Sequence, residues 1–163
     1  LVFSGNDWWG IRPNGTLWVA RVRRNEVWRL VGNDWKRGER LPDPVLEVTL
    51  ADRERHIASF PEDLRNMAKQ TLQFAPLKPP FERAHQGPDG SVWLRKSKMI
   101  TDSIRRYHVV DTTGALARVF AALGPGQIIA VGAEAVLMAE QFKEGVRLME
   151  VRIPAPPPPA TQP

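Results

Sequence analysis

Apolar and polar positions alternate along most of this chain with the two-residue period of half-buried β-strands. Over residues 17–23 the alternation puts Trp18, Ala20 and Val22 on one face and Leu17, Val19, Arg21 and Arg23 on the other. A first block, about 7–42, predicts four short strands at 8–11, 17–23, 27–31 and 35–41, with turns at Pro13–Gly15, Arg24–Asn25 and Gly32–Asp34. A second block, about 81–123, predicts strands at 82–85, 91–96, 104–111 and 115–123, with Asp111-Thr112-Thr113-Gly114 as a hairpin turn. A third, about 127–153, predicts strands at 127–131, 136–142 and 146–153. Between 44 and 80 the period changes. Thr49 with Asp52, and Ser59 with Glu62, fit the helix-starting capping pattern, and Pro61 suits an early helical position. Leu64, Met67, Ala68 and Leu72 recur at helical spacing, so two short helices are predicted at about 50–58 and 61–73.

The blocks repeat one another. Arg12-Pro13-Asn14-Gly15-Thr16-Leu17-Trp18-Val19 returns 75 residues later as Gly87-Pro88-Asp89-Gly90-Ser91-Val92-Trp93-Leu94. Each copy is a Pro-Asn/Asp-Gly turn running into a β-branched and aromatic strand. Matching Val136-Leu137 to Val92-Trp93 gives a second offset of 44 residues. Removing about 31 residues of helical insert brings the first offset to about 44 as well, a length typical of one four-stranded propeller blade. The predicted fold is therefore mainly β: antiparallel, four-stranded, blade-like sheets forming a partial or open β-propeller over 1–153, with a short two-helix insert. Residues 154–163 form a Pro-rich tail suited to extended polyproline II.

Composition narrows the function classes. With 163 residues, 42% hydrophobic and 25% charged, the chain is globular in type, and no apolar run approaches the ~20 residues of a membrane-spanning helix. The absence of cysteine excludes disulfides and thiolate metal sites. No secretory leader pattern precedes the first block, which fits a processed protein or a piece of a longer one. A net charge of +5 favours acidic partners without distinguishing protein, nucleic acid and lipid.

The segments WWGIRPNGTLWVARVRRNEVWRL, GPDGSVW, YHVVDTTGAL and IIAVGAEAVLMAEQFKEGVRLMEVRI resemble blades of bacterial six-bladed β-propellers of the NHL/TolB-like type, and the helical insert before PPF is similar too. The resemblance covers about 7–154. It implies an exported, periplasmic protein, peripheral to a membrane, with a binding or scaffolding role. One host it suggests is a membrane complex such as a photosynthetic reaction centre, with this chain as an accessory subunit. Six blades of about 44 residues would need roughly 260 residues, so the ring cannot close within this chain. The expectation is that a missing half or a partner covers the open sheets.

Chemistry-bearing residues are sparse. His56, His85 and His108 lack helical metal-ligand spacing. His85 and His108 could still converge at one sheet end beside Glu82 or Asp111, which is the weaker reading of a propeller lyase or hydrolase. Ser91, Ser97 and Ser103 lack a nucleophile elbow, and Gly124-Pro125-Gly126 is too short to cradle phosphate. Trp18 and Trp93 occupy equivalent repeat positions and predict inter-sheet packing. Trp8 and Trp9 point to opposite faces, leaving one exposed for a partner. Basic clusters at Arg21, Arg23, Arg24, Arg29, Lys36, Arg37 and Arg40, and at Arg95, Lys96, Lys98, Arg105 and Arg106, read first as outer faces and blunted sheet edges. A basic nucleic-acid-binding module is the alternative, without a recognised motif behind it. The sequence thus predicts a non-catalytic docking subunit without cofactor or metal. Its protein partners would be acidic and membrane-embedded, and Trp8, Trp9, Arg21, Arg23, Arg24, Arg95 and Lys96 would form the interaction set.

Overall fold

In the computed structural model, which describes residues 1–124 and 126–154, three antiparallel meander sheets and two helices account for the chain. The Pro-rich tail beyond Pro154 lies outside the described residues. The first sheet is β1 (Trp8–Ile11), β2 (Leu17–Arg21), β3 (Glu26–Val31) and β4 (Asp34–Lys36), paired in chain order. The middle sheet repeats the plan with β5 (Phe81–Gln86), β6 (Val92–Lys96), β7 (Ile104–Val110) and β8 (Leu116–Leu123). The third has β9 (Gln127–Val131), β10 (Ala135–Phe142) and β11 (Gly145–Arg152).

The repeated turns have one geometry. Arg12 N donates to Thr16 O at 2.9 Å and Gly87 N to Ser91 O at 2.8 Å. The side chains of Asn14 and Asp89 accept from the N–H two residues on, and Gly15 and Gly90 sit at φ +80° and +81°, where L side chains are strained. The echo in the sequence is an echo in the backbone.

Strand ends depart from expectation where side chains take over backbone hydrogen bonds. β2 stops at Arg21 because Val22 N donates to the Asp7 carboxylate and Asn25, at φ +55°, closes a turn onto Arg21 O. β4 stops at Lys36, after which Glu39 N donates to Gly114 O on the middle sheet. The helices are α1 (Leu50–Ala58) and α2 (Arg65–Thr71), the latter preceded by a 3-10 turn at Glu62–Leu64. Thr49 and Asp52 form the expected reciprocal capping box. Ser59 does not start the second helix. Its backbone N–H and hydroxyl instead close the end of α1 onto Arg55 O and His56 O.

The sheets pack face to face, and the middle one is covered on both sides. Trp18, Ala20, Val22 and Val27 of the first sheet meet Phe81, Val92, Leu94 and Val110 of the middle one. Trp93, Tyr107, Val109 and Phe120, from its other face, meet Ile128, Val136 and Met138 of the third. Trp18 and Trp93 are 3% and 1% exposed, each leading one of these two cores. Between sheets, first strand approaches first strand, β1 to β5 and β5 to β9, so the three sheets share a common edge.

Candidate docking faces and the buried polar cluster

Cross-strand register assigns every residue of the first sheet to a face. Trp9 pairs with Val19 and Val19 with Trp28; Ile11 pairs with Leu17 and Leu30 with Trp35. These residues share the face turned away from the middle sheet, where Trp9 is 72% exposed and Ile11 and Trp35 are also exposed. Trp8, one position earlier, is half-buried against the first core with Arg83 over its ring. The guanidinium groups of Arg21, Arg24 and Arg37 lie 5.6–5.7 Å from the Trp28 ring centroid. Arg21 also pairs with Asp7 at 3.2 Å, and Arg37 with Glu26 at 2.7 Å. Hydrogen bonding from Arg37 holds the Glu26 carboxyl below its ordinary pKa in spite of burial. Arg23 is exposed on the loop after β2.

The third sheet has a matching open face. Leu137 pairs with Glu150, Ala139 with Leu148 and Gln141 with Val146, on the side away from Val136 and Met138. Val146 and Leu148 are exposed there, and Ile129 is exposed on β9. Both open faces have buried counterparts inside the chain. With Trp18 aligned to Trp93, Leu17 and Val19 correspond to Val92 and Leu94, which are fully covered by the first sheet. Leu137 corresponds to Trp93, the centre of the face that the third sheet covers. The chain therefore makes the same sheet-to-sheet joint twice and leaves one half of that joint open at each end.

A polar cluster lies within the first joint. Lys96 donates to the Asp43 carboxylate and, at 3.3 Å, to Asn25 Oδ1. Asn25 Nδ2 donates to Asp43 Oδ2 at 2.6 Å and to Leu41 O at 3.0 Å. His108 Nδ1 stands 3.8 Å from the same carboxylate, beyond hydrogen-bond reach and without another partner. Lys96 is only 5% exposed, so it is part of a joint and not of a docking surface. Burial lowers its pKa against the opposing pull of Asp43. Burial also lowers that of His108, with Asp43 raising it and Lys96 lowering it further. Asn25 and Asp43 line a cleft of about 410 Å³ together with Arg24, Leu41 and Pro80.

The two histidines do not converge. His108 pairs with Leu94 and so faces the first sheet; His85 pairs with Trp93 and faces the third. Register would have revealed this in the sequence, because the 87–91 turn sets His85 opposite Trp93. His85 is depressed to about 4 by burial and then by Arg83 and Arg95, and its Nε2 is buried without a partner. Neither histidine has Glu82 or Asp111 as the expected companion: Glu82 pairs with Arg95 at 3.0 Å, and Asp111 caps its own turn. Arg95 is half-buried and reaches Gln127 of β9, tying the middle sheet to the third. Among the described residues no group of three or more His, Asp or Glu could hold a metal ion, and no helix is long and apolar enough to cross a membrane. Neither a protein-family model, nor a curated protein, nor a solved structure matches the chain.

Proposed function

We propose that the chain is a non-catalytic docking module, an open β-propeller segment held inside a larger protein assembly. One observation carries this reading. The apolar faces left open on the first and third sheets are the counterparts of the two faces of the middle sheet, which the two joints bury. Exposed apolar surface of this kind favours association, since burying it yields about 25 cal/mol per Å². The shared first-strand edge and the blade-length repeat support the propeller description. Arg21, Arg23 and Arg24 rim the open face of the first sheet and suit an acidic partner surface. That the assembly is extracytoplasmic and membrane-associated rests on the sequence resemblance alone. The hydrolase or lyase alternative loses its basis with His85 and His108 on opposite faces of one sheet.

The test is the behaviour of the purified chain. Its open faces should bind an apolar dye or drive association, and replacing Trp9 and Leu148 together by Glu should abolish both while leaving the denaturation midpoint in place. A folded chain that remains monomeric, binds no dye and captures no partner would overturn the docking reading.

A further inference from the structure

We infer that the two open faces are complementary to each other, and that two copies of this chain associate head to tail into a closed ring of six sheets. The inference rests on the docking reading and names its partner. Inside the chain both joints are heterologous: the tryptophan-bearing face of one sheet meets an aliphatic face of the next, Val92 and Leu94 in the first joint and Ile128, Val136 and Met138 in the second. The two open faces are of opposite kinds. The first sheet presents the receiving kind, with Leu17 and Val19 in place of Val92 and Leu94. The third presents the covering kind, with Leu137 in place of Trp93 and Ala139, Val146 and Leu148 beside it. Two receiving faces would not reproduce the joint the chain already makes; a receiving and a covering face would.

Charge at the rim agrees. In the first joint Lys96 of the receiving sheet is met by Asn25, from the β2–β3 turn of the covering sheet, and by Asp43. On the open receiving face the position of Lys96 is taken by Arg21, two residues beyond Val19 as Lys96 is beyond Leu94. On the open covering sheet the β10–β11 hairpin is longer and closes at Lys143–Glu144, and Glu144, at its tip, stands seven residues after Leu137 as Asn25 stands after Trp18. A second copy therefore brings a carboxylate towards an arginine that already shares its environment with Trp28. Two such joints are formed at once when two copies meet, and the shared edge of β1, β5 and β9 becomes the axis of the ring.

Complementation between variants tests this. W9E spoils the receiving face and L148E the covering face; W35E and V146E serve as second choices where either fails to fold. In sedimentation or light scattering the parent chain should be a dimer and each variant alone a monomer, whereas an equimolar mixture of W9E and L148E should form a one-to-one heterodimer through the single intact joint. Loss of association with W9E but not with L148E would mean a face pairing with itself and would overturn the proposal. So would a ladder of open-ended polymers, which denies the ring. A folded parent monomer that still binds apolar dye would also overturn it, while leaving the docking reading standing.

Discussion

Lys96 carries its ammonium group into the joint between two sheets, and its neighbours decide what that costs. Asp43 and Asn25 satisfy it, so the group is paired, but water no longer solvates it. Removing one partner of such a pair leaves the other buried and uncompensated, which costs about 3–5 kcal/mol, whereas an exposed pair contributes below ~1 kcal/mol. K96M should therefore destabilise far more than K36M, which breaks the exposed Lys36–Asp34 contact; urea denaturation compares the two. K96M also removes a positive neighbour of His108 and leaves Asp43 facing it, so the His108 pKa should rise in an NMR titration. The histidines set a pH window as well. His85, at about 4 when folded and 6.5 when unfolded, takes up its proton in the unfolded chain first. Stability is therefore full above about 6.5 and falls as pH drops towards 4, and His108, also lowered, acts in the same direction. Carboxylates with lowered pKa, such as Asp89 and Asp111, add a loss only at still lower pH. Denaturation midpoints at pH 7.5 and 5 should converge in H85Q, most fully with H108Q added; an unchanged gap would assign the slope elsewhere. Lys96 and the histidines were illegible as buried groups for one reason. In the middle sheet both faces are covered, so a polar position in the alternation no longer means a solvent position.

At the scale of elements the turns are the parts that cannot vary. Gly114 lies at φ +94°, and a Cβ there would stand 2.6 Å from Gly38 Cα and 3.0 Å from Val27 O, where the β7–β8 turn presses on the first sheet. Gly15 has a similar φ of +80° but open space around it. G15A should cost about 1 kcal/mol from backbone strain, and G114A clearly more because the two sheets must part; thermal denaturation of the pair separates strain from steric contact. The insert is bolted on by comparable means. Asp52 completes the Thr49 capping box and also accepts from Lys78 at 2.7 Å, while Lys78 donates to Lys98 O on the loop after β6. Burial alone would raise the Asp52 pKa, yet the bonds from Lys78 and Thr49 hold it low. T49A should cost about 1 kcal/mol of stability, again by denaturation. Strands and helices of this kind were legible because period, capping pattern and turn chemistry are local. The ends of β2 and β4 were not, because Asp7 and Gly114 supply the decisive hydrogen bonds from elsewhere in the chain. Ser59 misled because its hydroxyl serves the end of one helix as readily as the start of another.

Taken as a whole, the molecule is a row of three sheets joined by two cores, so its stability should be distributed like that of a repeat protein, with each sheet supported by its neighbours. The middle sheet belongs to both cores; the third belongs to one, and its other face is open. Two substitutions of similar local cost then differ in where they act. Leu94 and Ile128 are both fully buried, and truncating either to Ala should cost about 2–5 kcal/mol at its own site. L94A weakens the joint that holds the first sheet to the middle one, so protection from hydrogen exchange should fall in β1–β4 first, while the second core keeps the middle and third sheets together. I128A weakens only the second joint. Protection should fall in β9–β11, while β2, β3, β6 and β7 keep theirs, because opening the last sheet leaves the first core intact. Amide exchange read strand by strand distinguishes the two patterns. If I128A lowered protection equally in all three sheets, the chain would unfold as a single unit. The open face of the third sheet would then be a minor perturbation on one cooperative core, not the weak end of a row.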